Sequence, residues 1–471
     1  MESISKNNPT GIARTRPLWW LTVLVIGTAF FAAGHDVTTS AHDAFTQTAD
    51  EMEQTALGGD HLRQIGFLSI GFLGTLFLLR GSRESLRFDP LTGLPLLLFV
   101  LWCGASVIWS DDMSLTMRRL VVAGCFAVGA FGIARQFSLR ELLRMTLCIT
   151  TAFLVIGVLA ELAVGTFRPW SGGYRFAGSV HPNTQGVNLG MLCLSAFCLA
   201  RSGSPRRVLL YALFAVGFAF LVLTKSRTSL GGLLIAMSPL WALKYSTRFK
   251  ILTGTAGLWI VSAVLLGVLL SGVDFSRDIR AASQLGRNEE GGALTGRIPI
   301  WTELLPFARE RLLTGYGYDS FWTPDRIDIV SGDVQWGLRE AHSAYLDAVL
   351  SVGLVGMLTL VGAALMGLFR SAQRYLKTGD VNYCFIFGLL MLGLIDSATE
   401  SGMLMTGFMP FVALCGLGRL AFCGDGYPFG FGTAAAGFSA GRSSRFPSGT
   451  WAGAISCGST PASPSGRATR R

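Results

Sequence analysis

Among five histidines in the chain, His342 stands where a histidine could do chemistry. It lies in Glu340-Ala341-His342-Ser343-Ala344-Tyr345-Leu346-Asp347, at the mouth of an apolar run beginning near residue 343. The positive end of a helix dipole disfavours an imidazolium, so the ring is expected to be neutral and able to accept a proton. That suits a general base, and the same place suits a helix cap or an interfacial anchor equally well. Three cationic segments accompany it: the tight turn Thr224-Lys225-Ser226-Arg227-Thr228-Ser229, the sequence Thr295-Gly296-Arg297, and Arg175 in Arg175-Phe176-Ala177-Gly178-Ser179-Val180-His181-Pro182-Asn183. Guanidinium groups ringed by hydroxyls are what a diphosphate requires, because Arg offers paired planar donors and keeps its charge. For each arginine the alternative is a phospholipid headgroup contact or a solvated loop charge. His35, His42 and His61 share one loop at spacings unlike a helical metal pair. Walker, zincin and GxSxG motifs are absent from the sequence.

The elements that must hold these residues are membrane spans. Of 471 residues 51% are apolar and 14% charged, against a norm of about 25% charged in soluble domains. This composition excludes a soluble enzyme. Apolar candidates fall near 18–33, 64–79, 91–109, 119–134, 145–164, 185–200, 208–223, 228–243, 251–271, 343–369, 381–396 and 402–422, about twelve spans. An N-terminus in the cytoplasm places Arg80, Arg83, Arg87, Arg135, Arg140, Arg144, Arg201, Arg206, Arg207, Arg370, Arg374 and Lys377 inside, as the Lys/Arg bias demands. Loops 34–61 and 396–401, assigned outside, hold no Lys or Arg. Against the bias stand Arg118, Arg119, Arg168, Arg175, Lys225 and Arg227 in outer loops. Topology gives these cations no role, so a ligand is expected to, and at a membrane surface the obvious diphosphate is that of a polyisoprenyl carrier. The +10 formal charge is topological rather than a sign of nucleic acid.

Residues 1–271 therefore form an N-terminal membrane bundle of about nine spans, 272–342 a periplasmic loop, 343–422 a C-terminal bundle of about three spans, and 423–471 a disordered cytoplasmic tail. Within the loop, Pro299–Leu313 is expected to be an amphipathic helix with Trp301, Leu304, Leu305 and Leu312 on one side, broken by Gly315-Tyr316-Gly317-Tyr318.

The sequence resembles the O-antigen ligase and polymerase family of bacterial inner-membrane glycosyltransferases, which includes exopolysaccharide polymerases. The resemblance rests on Gly178–Asn183 with His181-Pro182-Asn183, Lys225-Ser226-Arg227-Thr228, Thr295-Gly296-Arg297-Ile298-Pro299-Ile300-Trp301, Leu313-Thr314-Gly315-Tyr316-Gly317, and Ala341–Leu346 followed by Gly353-Leu354-Val355-Gly356. It implies an all-α, GT-C-like polytopic fold with the large periplasmic loop between spans nine and ten. It also implies transfer of a glycan from undecaprenyl diphosphate to a glycan or lipid A core acceptor, outside the inner membrane, with neither metal nor cofactor. On this likeness His342 activates the acceptor hydroxyl and Arg227 and Arg297 bind the diphosphate. Lys225 and Arg175 are expected beside them, with His181, Asn183 and Tyr345 in support. Ser343 departs from the Asn that family members often carry after the histidine. Ligation and polymerisation of repeat units need the same donor site, so both readings stand. A lipid-linked sugar transporter would also want outer cations, but should show inverted repeats with broken helices, and no internal repeat is seen.

Overall fold

Apolar runs of membrane length must satisfy their backbone polar groups internally, which they do as helices. The computed structural model describes residues 9–34, 61–80, 86–242, 297–334, 338, 340–402, 406–423 and 427–428. Among them are α1 (Pro9–Gly34), α2 (His61–Leu79), α3 (Pro90–Ala105, prolonged by a 3-10 turn over Ser106–Trp109), α4 (Met113–Gln136), α5 (Leu139–Val164), α6 (Pro182–Arg201), α7 (Arg207–Leu223), α8 (Arg227–Ala242), α9 (Arg297–Glu310), α10 (Pro324–Val334), α11 (Ala344–Thr378), α12 (Asn382–Asp396) and α13 (Phe408–Phe422). Two-residue strands Arg87–Phe88 and Tyr427–Pro428 pair antiparallel. Six described helices, α1 from Pro17, α2, α3 with its 3-10 turn, α4, α5 and α11, are long and apolar enough to cross a membrane; α7, α12 and α13 are apolar but shorter. The chain is thus an all-α, multi-pass membrane protein. The expected ninth apolar segment, 251–271, lies outside the described residues, as do 272–296 and nearly all of the tail.

Sequence punctuates the helices. Ser138 and Glu141 form a reciprocal capping box at the start of α5, and Gly165, at φ 78°, ends it. Pro182 opens α6 at the position where a missing N–H costs nothing. Most of α6 is buried, which makes it the central post of the bundle. Helices α2 and α4 approach through glycines: a Cβ on Gly74 would fall 2.4 Å from the Val128 carbonyl oxygen. The membrane core centres on Phe30, Phe67, Phe126 and Phe411, with Phe30 and Phe411 ring centroids 5.2 Å apart. A smaller core joins Ile300 and Leu304 of α9 to Tyr316, Phe321, Trp322, Ile327 and Ala341.

The amphipathic loop helix differs from expectation in its limits and its face. α9 ends at Glu310 and buries Ile300, Leu304 and Ala308, whereas Leu305 and Leu312 are 42% and 45% exposed. Leu312 lies past the helix, in a segment that joins α11 instead. There α11 is broken at Gly353 (φ 70°, ψ −178°). The Leu354 N–H, which a continuous helix would send to Leu350, donates to the Leu312 carbonyl at 2.7 Å. The Leu350 and Ser351 carbonyls accept from Tyr316 and Gly317 N–H, both at 2.9 Å, and the Val352 carbonyl from Trp102 Nε1 at 2.8 Å. The segment 312–317 thereby completes the hydrogen bonding of the helix it crosses, and the upper part of α11 is held beside the site.

Candidate active site

Four loops meet at the loop-bearing end of the bundle, and a carboxylate that no motif marked joins them. Glu400, in the turn after α12, accepts from Arg297 and, at 2.8 Å, from Asn183 Nδ2. Asn183 Oδ1 accepts in turn from Arg175 Nη2 at 3.0 Å. Arg175 Nε reaches the Thr224 carbonyl at 3.1 Å, and Phe176 N–H the Leu223 carbonyl at 2.9 Å, which staples the 172–178 loop to the cationic turn. That turn is tied to the Glu400 loop by Thr228 and Thr399, whose hydroxyls are 2.9 Å apart. Arg227 is the residue before Thr228, at the first position of α8, and is half-buried. Lys225 adopts φ 54° and donates its ammonium to the Gly172 carbonyl.

His342 sits against this chain of contacts. Its Nδ1 lies 2.8 Å from Glu340 Oε1, which orients the ring. The Ala344 N–H bonds the Ser397 and Glu400 carbonyls at 3.0 and 3.1 Å, and so locks the start of α11 to the same loop. His342 takes φ 48°, a left-handed conformation that a non-glycine residue holds only at a cost. The expectation that the helix terminus keeps this imidazolium disfavoured is corrected by the structure. Burial does lower the proton affinity, but the Glu340 bond and charge, with Glu400 beyond, outweigh both burial and Arg297 and hold the pKa above the ordinary histidine value. A dipole effect of about 0.3–1 kcal/mol is smaller than a direct carboxylate pair. Glu400 is likewise shifted up, by burial first, against the opposing pull of Arg297 and His342.

The structure therefore links Arg175, Asn183, Glu400 and Arg297, with His342 beside them, and places Arg227 and Lys225 in the turn packed against them. Arg175, Lys225, Arg227 and Arg297 lie on the segments joined here with those of Glu340 and Glu400, and Arg297 pairs directly with Glu400. His181 caps α6, its Nδ1 accepting from Asn183 N–H at 3.3 Å. The Tyr345 hydroxyl donates to the Leu394 carbonyl at 2.6 Å, so it pins α11 to α12. Of the other cations set against the orientation bias, Arg119 pairs with Asp319 at 2.6 Å and serves the loop's own packing.

Three acids escaped sequence reasoning. Glu400 and Glu340 are described above. Glu161, 6% exposed inside α5, accepts from Ala177 and Gly178 N–H at 2.9 and 2.8 Å and from the Tyr174 hydroxyl, and so folds the loop that presents Arg175. A lone carboxylate in an apolar run was a usable signal, since such a group is costly unless bonded. Glu340, His342 and Glu400 also offer ligand atoms within 4.8 Å of one another, a donor set that could hold a metal ion. Arg297 on Glu400 and the imidazole on Glu340 compete directly with that use.

An O-antigen ligase family model matches residues 212–361, a stretch that includes Lys225, Arg227, Arg297 and His342. Over 322 residues the chain is 24% identical to the exopolysaccharide production protein ExoQ of Rhizobium meliloti (strain 1021), covering 64% of this chain and 71% of that protein. Both findings support the O-antigen ligase and polymerase family that the sequence resembles.

Proposed function

From that family and this geometry we propose that the chain is an inner-membrane glycosyltransferase that moves a glycan from undecaprenyl diphosphate onto an acceptor saccharide of lipopolysaccharide or exopolysaccharide. The N-terminus lies in the cytoplasm and the site faces the periplasm, as the Lys/Arg bias favours. The observation that carries the reading is the run of contacts from Arg175 through Asn183 and Glu400 to Arg297, with the His342–Glu340 pair beside it.

In the reaction, His342 Nε2 takes the proton of an acceptor hydroxyl while Glu340 holds Nδ1 and stabilises the imidazolium that forms. The hydroxyl oxygen bonds to the anomeric carbon, the bond from that carbon to the diphosphate oxygen breaks, and undecaprenyl diphosphate departs with the electron pair. Arg297, Arg227 and Arg175 neutralise the charge that develops there, a role that needs no metal. A small apolar hollow lined by Ala344, Tyr345, Ala348, Leu394 and Ser397 lies between α11 and α12 beside the site. The break in α11 is a feature a transporter would share, but its freed groups are met by segment 312–317.

Purified protein given a synthetic undecaprenyl-diphosphate-linked glycan and acceptor glycan is expected to release undecaprenyl diphosphate, and His342→Ala to abolish the release at unchanged protein level. Near-normal release by that variant removes His342 from the mechanism. The likeness to a protein of exopolysaccharide production favours a second reading, polymerisation of carrier-linked repeat units. A deletion strain decides: single repeats retained with chain length lost mean polymerisation, and carrier-linked long chains accumulating mean ligation.

A further inference from the structure

One buried carboxylate in the first turn of α11 gathers three donors from three segments. Asp347 is 9% exposed. Its Oδ1 accepts from Trp322 Nε1 at 3.2 Å, its two oxygens share the Ala341 N–H at 3.1 and 3.2 Å, and its Oδ2 accepts from the Ser401 hydroxyl. Ala341 is the residue between Glu340 and His342, and Ser401 directly follows Glu400. A single side chain thus holds the strap that carries the imidazole and the turn that carries the carboxylate hub, with Trp322 closing it from the loop core. All three donors are neutral, so the carboxylate acts here as a hydrogen-bond acceptor with several lone pairs. No motif gave Asp347 a role, and it touches neither His342 nor an arginine in the contacts described.

We propose that Asp347 is a positioning residue of the transfer reaction, fixing the His342 ring relative to Glu400 by binding Ala341 and Ser401 at once. The inference rests on His342 as the base. Losing these ties frees the strap that carries the imidazole from the turn that carries Glu400. Asparagine at 347 is nearly equivalent, because its oxygen can accept from Trp322 and Ala341 while its amide donates to the Ser401 oxygen. Leucine, of similar volume, keeps none of the three bonds.

The test uses the full-length protein in liposomes, with a synthetic undecaprenyl-diphosphate-linked oligosaccharide as donor, acceptor glycan in excess, and released undecaprenyl diphosphate as readout. Asp347→Leu is expected to lower kcat by about 100-fold, the cost of misplacing a reacting group by about an ångström. Its donor KM should change much less than kcat, since Asp347 reaches the diphosphate arginines only indirectly, through the Ser401–Glu400 turn. Asp347→Asn should keep kcat within about fivefold. Ser401→Ala, the milder change, should lower kcat by about tenfold with donor KM little changed. A purely structural Asp347 would lower the amount of folded enzyme and leave kcat per folded enzyme at the parent value. The proposal is overturned if Asp347→Leu retains normal kcat, or if Ser401→Ala does. The second variant decides should Asp347→Leu fail to accumulate. A normal Asp347→Leu beside an inactive His342→Ala sinks this inference alone, whereas an active His342→Ala sinks the functional reading beneath it.

Discussion

On the proposed mechanism Arg297 has two partners to serve, a carboxylate at rest and a diphosphate in the reaction, and replacing it with glutamine should separate the two. At rest the guanidinium donates to Glu400, and the two side chains are 20% and 12% exposed. Removing one partner of a fully buried pair costs about 3–5 kcal/mol, and the residual exposure here brings the expected loss to about 2 kcal/mol. Catalysis should suffer more: loss of one charged donor aimed at developing negative charge typically lowers kcat by about 100- to 1,000-fold. In the double variant Arg297→Gln/Glu400→Gln the orphaned carboxylate is gone, so stability should return to within about 1 kcal/mol of the parent while kcat stays depressed. Thermal unfolding in detergent reports the first quantity, and release of undecaprenyl diphosphate from the synthetic donor the second. Recovery of both in the double variant would refute the argument, because Arg297 would then exist to satisfy Glu400 and nothing else. So would a single variant with kcat within about threefold of the parent.

Other outcomes follow from the same geometry. On the proposed mechanism His342 works unprotonated, so with a pKa held above the ordinary value by Glu340 and Glu400 the rate should be full at higher pH and fall as pH drops through that raised value; Glu340→Gln should move the fall to lower pH, and an unmoved profile would assign the titration to another group. Gly353→Ala forces a side chain into φ 70° with its Cβ 2.1 Å from the Leu313 carbonyl oxygen, so it should destabilise the protein by at least about 2 kcal/mol in thermal unfolding; a variant as stable as the parent would deny the break in α11. A chelator should leave transfer unchanged; activity lost to EDTA and restored by a divalent ion would instead make Glu340, His342 and Glu400 a metal centre.

What could be read in advance followed from local chemistry. Eleven of the twelve expected apolar segments overlap described helices, because hydropathy over about 20 residues needs no partner to be recognised. His342 is legible as a histidine at the mouth of an apolar run, Arg175 as a cation set against the orientation bias, and Arg297 as a guanidinium opening the loop helix. Their relations are not. Glu400 lies 103 residues from Arg297 and 217 from Asn183, so nothing near it in sequence announces what it binds. The direction of the His342 shift was missed for a related reason. Dipole reasoning uses only the helix at hand, whereas Glu340 bends back on the ring through a left-handed residue that no pattern signals. The face of α9 was misjudged because Leu312 answers to the break in α11 rather than to helical spacing.

That break bears on how the protein is made. A membrane helix normally brings its own hydrogen bonds and can settle in the bilayer as soon as it leaves the translocon. The stretch around Gly353 borrows donors from Trp102, Tyr316 and Gly317 and an acceptor from Leu312, all synthesised earlier, so their segments must be in place when α11 arrives. Biogenesis is thereby ordered: docking of the 312–317 segment and completion of α11 are one event, and the histidine at the head of that helix comes into register only when both are done.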